Sequence, residues 1–288
     1  MKRLLLTGAS GFLGNNMMSE LIKSYEVETL GRSVSNDVIC DLLNQEPSFR
    51  KCYDVVLHAA GLAHFIPKTK DEVQSFFNVN FFGTRRLCNA LLLKKKLPSM
   101  FVYVSSVAVY GLQEGINITE EAPLLGASAY AQSKIQAENF LTDWCRSNNV
   151  TLAILRPSLI VGHNPVGNLG DMVRGMRRGL YASVHKGGAR RSVVMAQDIA
   201  RIVPLIAQYG GGVFNICDTV APSFRELERV IAHQLHLPMP ISIPDWLAKW
   251  VLSPQRFEKM SQSLTFSNQK AREQLHWEPL PVLENFII

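Results

Sequence analysis

Three glycines set between an apolar strand and an amphipathic helix constrain this chain more than any other feature. Lys2–Leu6 is a short apolar run that predicts a buried first strand. Thr7-Gly8-Ala9-Ser10-Gly11-Phe12-Leu13-Gly14 follows directly, and apolar residues recur at helical spacing over Phe12–Lys23. Strand, tight turn and helix start together make a phosphate cradle. Gly8 permits the turn, Gly11 lets bare backbone approach a pyrophosphate, and Gly14 lets the helix lie close on the strand, while first-turn N–H groups face the anion. Ser10, Phe12 and Leu13 complete the lining. Three glycines in a loop are otherwise only a turn, so it is their position that points to a dinucleotide.

Further strands and helices alternate behind this unit. Val27–Leu30, Asp54–His58, Phe101–Val104 and Thr151–Leu155 read as buried strands, with Val73–Leu93 as one long helix and a second helix from Tyr130 to about Arg146. Such alternation predicts an α/β fold, a Rossmann-type doubly wound parallel sheet covered on both faces. Residues beyond 160 are less regular: Asp198–Tyr209 and Phe224–Gln234 read as helices, Val213–Cys217 as a strand and Pro238–Pro244 as extended. The expected organisation is a dinucleotide-binding domain over 1–160, with a returning segment around 190–218. A smaller, discontinuous C-terminal substrate-binding lobe is expected over 161–190 and 219–288.

Composition excludes several classes. The chain has 288 residues, enough for a sizeable core, with 47% apolar and 19% charged residues, so disorder is not expected. Net charge is +6, and the run Lys94-Lys95-Lys96 suits a solvated helix end better than a nucleic-acid surface. The five cysteines are odd in number and form no C-x-x-C pair, which implies reduced thiols and neither disulfides nor a metal site. The apolar opening stops at Thr7-Gly8, too soon for a secretion signal, and no run approaches a membrane span; the cytoplasm is the expected compartment. Asp245–Leu252 reads as a short amphipathic helix, expected to pack against a lobe or subunit rather than touch lipid. No nucleic-acid or membrane partner is expected.

Two further features carry chemistry. Where an acidic residue usually bonds the adenosine ribose of NAD, about twenty residues past the glycines, stands Arg32; its fork suits a 2′-phosphate, so NADP is expected over NAD. Small residues at a strand's end, Ala59-Ala60-Gly61, leave room for a flat cofactor. Tyr130 and Lys134 lie one turn apart on a helical face. A phenol is a poor acid or base near neutrality, and a neighbouring ammonium is expected to bring it toward the working range. Ser106, at the end of a strand, can hydrogen-bond a substrate oxygen on which charge develops. Together the three describe proton exchange with a carbonyl, coupled to hydride transfer from a nicotinamide.

Taken with Asp41-Leu42, His58-Ala59-Ala60, Asn80–Thr84, Ser105-Ser106 before Tyr110-Gly111, Leu155-Arg156-Pro157 and Ala271–Pro279, these motifs make the chain similar to extended short-chain dehydrogenase/reductases. More specifically, it resembles the NAD(P)-dependent epimerase/dehydratase family acting on nucleotide sugars. The resemblance spans nearly the whole chain. It implies Ser106, Tyr130 and Lys134 as catalytic, and Asp41, Leu42, Ala59, Ala60, Gly61, Asn80, Ser105 and Pro157 among the cofactor contacts. It also implies Arg191 and, more weakly, Arg256 against the substrate diphosphate, and Asn168-Leu169 against a uracil, so that UDP is the favoured carrier. Val107 and Ala108 stand where 4,6-dehydratases carry acids, which argues against dehydration. Leu159 and Ser267 depart from a usual asparagine and aspartate. The resemblance implies hydride transfer at C4 of a nucleotide sugar, as 4-keto reduction or C4 epimerisation, in a homodimer paired through the two long helices. A reductase of a small lipophilic ketone and a non-catalytic dinucleotide sensor are the other classes to weigh; the cationic Lys186–Arg191 segment argues against the first and the intact Ser106, Tyr130 and Lys134 against the second.

Overall fold

Parallel pairing forces the architecture. In a computed structural model that describes residues 1–63 and 65–288, strands β1 (Lys2–Thr7), β2 (Tyr25–Gly31), β3 (Val38–Ile39), β4 (Val55–His58), β5 (Met100–Val104), β6 (Thr151–Pro157) and β7 (Gly212–Ile216) form one sheet. Their order is β7-β6-β5-β4-β1-β2-β3, every neighbouring pair parallel. The strand reversal lies beside β1, where such sheets open a crevice at the carboxyl ends. This is the expected Rossmann-type class.

Both faces of the sheet are buried, which is why its strands read as continuous apolar runs. Leu4, Leu6, Val55, Leu57, Val102 and Leu155 enter one core with Met17 and Leu21 of α1 (Phe12–Leu21) and Ile199 and Val203 of α6 (Ala196–Tyr209). Leu5, Val56, Phe101 and Ile154 point to the opposite core, with Leu87 and Leu91 of α3 (Gly83–Leu92) and Leu141 and Trp144 of α4 (Ala129–Ser147). Strict alternation along each strand divides them.

The expected helix Val73–Leu93 is instead three pieces. α2 (Lys70–Phe77) starts at a Thr69/Glu72 capping box, a π-helical turn spans Asn78–Phe82, and α3 continues from Gly83. Periodicity could not show this break, because the wide turn inserts at Asn80, whose buried side chain bonds Leu62 N, Leu62 O and Ser133 Oγ.

A separate core joins α5 (Gly167–Arg177) to α7 (Phe224–Leu235) through Leu169, Met172, Val173, Leu227 and Ile231, with Val282 and Phe286 from the C-terminal end. The stretch 219–288, expected to form one lobe, is divided. Ala271, Leu275 and Trp277 pack in the first sheet core, against α6 and β7. In α8 (Asp245–Val251) only Ala248 is buried, and Trp246 and Trp250 face outward.

The contact between α1 and the loop below it has no slack. A Cβ on Gly14 would stand 2.5 Å from Ala9 Cα and closer still to Gly8 O, both of them backbone. Gly14→Val should therefore cost about 1–3 kcal/mol, or roughly 2–10 °C in a thermal melt followed by circular dichroism. An unchanged melt would show that the helix can move off the strand.

Candidate active site

The register aligns the carboxyl ends of the central strands. Thr7 pairs with Leu30 and with His58, His58 with Tyr103, and Val104 with Leu155. The loops that leave these ends, Gly8–Gly14, Gly31–Arg32, Ala59–Gly61 and Ser105-Ser106, therefore gather along one edge. Pro157 closes β6 at the same level.

On the β1 side the lining is backbone. Gly8, with φ +78°, lies so near the next loop that a Cβ would sit 2.8 Å from Ala60 N. Helix α1 begins at Gly11 without a side-chain cap and without an acid in its first turn, so the N–H groups of Phe12 and Leu13 are left for an anion. Ser10 is exposed at the rim. Gly61 leaves the space at the crevice floor: a Cβ there would lie 3.1 Å from Asn80 Oδ1 and 3.2 Å from Lys134 Nζ. Small residues, bare N–H groups and this missing volume fit a dinucleotide.

A buried histidine, not singled out from the sequence by itself, ties these loops together. Thr84 Oγ1 donates to Asn80 O at 2.7 Å, so it must accept from His58 Nε2 at 2.9 Å. His58 Nδ1 then accepts from Thr7 Oγ1 at 2.6 Å, and Thr7 Oγ1 accepts from Ala60 N at 3.0 Å. Burial pushes His58 down to about 3, with the Lys134 charge adding to the effect, so the ring is neutral. Its role is to fix the Ala59–Gly61 loop.

Arg32 is exposed in the loop after β2 and has no ion-pair partner among the described residues. Asp41 caps its own turn, Oδ1 accepting from Leu43 N at 3.0 Å, while Leu42 is buried in the second sheet core and its carbonyl accepts from Arg86.

Ser106, Tyr130 and Lys134 converge from two elements. Ser106 starts the short 3₁₀ turn Val107–Tyr110, Oγ accepting from Ala108 N at 3.1 Å, and lies near the Tyr130 phenol. Ser128 caps α4, which puts half-buried Tyr130 in its first turn and Lys134 one turn on. Lys134 Nζ donates to Val104 O at 2.9 Å and sits 4.8 Å from the Tyr103 ring centre. Burial pushes Lys134 down to about 8, against the pull of Glu138. The expected lowering of Tyr130 is not found: burial raises the phenol, and the nearby Ser106 hydroxyl only partly opposes this. A lysine that is itself desolvated cannot offset the cost of ionising a buried phenol.

Glu138, one turn beyond Lys134, was missed. It accepts from Arg156 Nη2 at 2.6 Å, Arg156 Nε at 3.2 Å and Ser105 Oγ at 2.5 Å, while Arg156 Nη1 reaches Tyr110 OH, which donates to Asn215 Oδ1. Both charged side chains are buried. The available signal was Glu138 continuing the Tyr130–Lys134 face at the same four-residue step, opposite an arginine closing an apolar strand.

The substrate candidates lie apart from this group, and no hydrogen bond or ion pair among the described residues connects them to it. Arg191 is half-buried, Nη2 donating to Lys259 O at 2.7 Å in α9 (Pro254–Ser261), and Arg256 is exposed on the same helix. Asn168 is exposed in the first turn of α5, whereas the Leu169 side chain is buried in the lobe core and leaves only backbone for a ligand.

Residues 4–217 match the model of the NAD dependent epimerase/dehydratase family. The chain belongs to that family. It is 26% identical to an Escherichia coli O157:H7 N-acetyl-alpha-D-glucosaminyl-diphospho-ditrans,octacis-undecaprenol 4-epimerase, covering 83% of this chain and 76% of the relative. To a Pseudomonas aeruginosa GDP-6-deoxy-D-mannose reductase it is 24% identical, covering 96% and 92%. Among solved structures it superimposes on RMD from Pseudomonas aeruginosa complexed with NADPH (TM-score 0.78, 22% identity, 99% and 96% covered). It also superimposes on the Bacillus cereus UDP-glucuronic acid 4-epimerase in complex with UDP-glucuronic acid and NAD (TM-score 0.76, 18% identity, 99% and 96% covered). These likenesses establish the epimerase fold.

The Glu138–Arg156 pair generates a stability prediction. Glu138→Leu, which strands a buried guanidinium, should lower unfolding free energy by about 3–5 kcal/mol, and adding Arg156→Met should recover much of the loss. Denaturant titration of the single and double variants checks this, and purely additive losses would show the two groups to be uncoupled.

Proposed function

We propose that this family member is an NADP-dependent oxidoreductase of diphosphate-linked sugars that reduces a 4-keto sugar, with C4 epimerisation as the other outcome its groups permit. The placement of Lys134 at Gly61 beneath the glycine-lined crevice, with Tyr130 one turn before it on α4 and Ser106 at the end of β5, carries the reading. The nicotinamide, when bound, supplies or takes up a hydride at the sugar carbon. Tyr130 Oη exchanges the proton with the sugar oxygen, and Ser106 Oγ holds that oxygen as charge develops. Lys134 places a cation under the crevice at Gly61, where it can hold the cofactor ribose. Burial keeps the phenol protonated near neutrality. That favours donation to a ketone, hence net reduction, since epimerisation must begin with a phenolate accepting a proton.

Cofactor choice rests on Arg32, an unpaired fork at the end of β2, with the Ser33 and Ser35 hydroxyls beside it at 2.9 Å from one another. An arginine with hydroxyls suits a 2′-phosphate, which supports NADP. For the substrate, the relatives' sugars share one element, a diphosphate link to undecaprenol in one case and to a nucleoside in others. Arg191 and Arg256 are the diphosphate candidates, and Asn168 with the Leu169 backbone supports UDP as the carrier. The expected homodimer would pair through α2–α4, where Phe81, Phe82 and Phe140 lie against Arg85 at the surface.

With a UDP-4-keto sugar, NADPH absorbance should fall. Tyr130→Phe should slow this by roughly 10²–10⁴-fold while leaving NADPH affinity unaltered. The wild-type rate should hold steady in mildly acidic solution and decline as pH rises through about 8, where Lys134 loses its charge. A C4 epimer formed without net oxidation selects epimerisation, and neither product sinks the reading. Separately, Arg32→Ala should weaken NADPH binding by roughly tenfold or more and leave NADH unchanged; equal or tighter NADH binding by the wild type would remove the case for NADP.

A further inference from the structure

The two outward tryptophans of α8 belong to a larger surface. Trp246 is 72% and Trp250 84% exposed, one helical turn apart, and Ile241 (73%) and Leu180 (80%) join them. Backbone pairing and one side-chain contact tie the segments that carry them. Ser183 N donates to Ile241 O at 2.8 Å, Ser183–Val184 pairs with Ser242–Ile243, and His185 Nδ1 meets Asp245 Oδ2 at 3.0 Å. A monomer rarely leaves so much large apolar surface bare without a use for it. On the same segments Arg177, Arg178, Lys186 and Lys249 are exposed and in no ion pair among the described residues, Lys249 Nζ lying 5.2 Å from the Phe257 ring centre. Among the nearby acids Asp171 pairs with Arg174 and Asp245 meets His185, while Glu258 on α9 is exposed and outside any ion pair among the described residues, so the cations outnumber the free carboxylates.

We propose that this face is a docking surface for an anionic membrane. Indole rings settle at the level of lipid headgroups, with the ring apolar and its N–H wet, and lysine or arginine side chains reach the phosphates from the same depth. No helix among the described residues is long and apolar enough to cross a bilayer, so the association is interfacial and reversible. A second copy of this chain is the poorer occupant, since pairing the face with itself sets unpaired cations against cations. Docking also has a functional logic, which rests on the sugar-diphosphate reading above. Arg191 bonds α9, Arg256 lies on α9, and α8 packs against α9, so membrane contact brings the diphosphate candidates to headgroup level.

The test is co-sedimentation of the full chain, without cofactor or substrate, with phosphatidylcholine vesicles containing about one third phosphatidylglycerol, and with phosphatidylcholine alone. Expected are binding to the anionic vesicles only, weakened by salt, and a loss of roughly tenfold or more in the Trp246→Ser/Trp250→Ser variant at an unchanged melting temperature. Absence of binding overturns the proposal, as does equal binding to neutral vesicles or binding that the double substitution leaves intact. An oligomer that dissociates in the variant, with no vesicle binding by either protein, overturns it in favour of a subunit interface. Because no turnover is measured, failure here leaves the oxidoreductase reading standing.

Discussion

Burying a full ion pair beneath the end of a parallel sheet is the constraint on which the cleft depends. Desolvating two charges costs several kcal/mol per ion, and such a pair is stable only when nearly every polar atom around it is engaged. Glu138 meets the condition by accepting from Arg156 and Ser105; Arg156 meets it by reaching on to Tyr110, which is held by Asn215. Those contacts draw together the ends of β5, β6 and β7 and helix α4. Tyr130 and Lys134 lie two turns and one turn upstream of Glu138 on that helix, so anchoring the glutamate sets where the phenol and the amine can stand.

The other side of the crevice is held by uncharged groups. A neutral His58, fixed in one tautomer by Thr7 and Thr84, ties the first glycine loop to Ala59–Gly61, and the π turn at Asn80 fastens that loop to α4 through Ser133. The result is a floor of backbone and small side chains with one cation beneath it. Burial acts on both titrating groups there, holding the phenol protonated and making the lysine easier to discharge. The cleft is thereby biased toward giving a proton.

Much of this was legible in the chain. Sheet strands announced themselves because burial on both faces demands unbroken apolar runs, and the glycine loop because a strand followed by a helix leaves few other uses for bare backbone. Tyr130 and Lys134 were found by a spacing that any helix turns into a shared face. The interruption of Val73–Leu93 was not legible, since a single wide turn hardly disturbs apolar periodicity while its cause, the bonding of Asn80 to Leu62 and Ser133, lies 18 and 53 residues away. The allotment of Ala271, Leu275 and Trp277 to the sheet core was hidden for the same reason, as was the coupling of Glu138 to Arg156. Direction of the phenol's shift failed differently: proximity of an ammonium was readable, the depth at which both groups are buried was not.

By itself the amino-acid order determined the fold class, the glycine turn between the first strand and helix, and the shared helical face of Tyr130 and Lys134, because each depends on local spacing that short-range geometry converts directly into position. Tertiary structure alone decided the protonation bias of the cleft, the ion pair that supports it and the outward turn of Trp246 and Trp250. Burial and charge pairing arise only when segments far apart in the chain meet, and a helix two turns long presents the same apolar stripe to a neighbour or to solvent until the rest of the chain has packed around it.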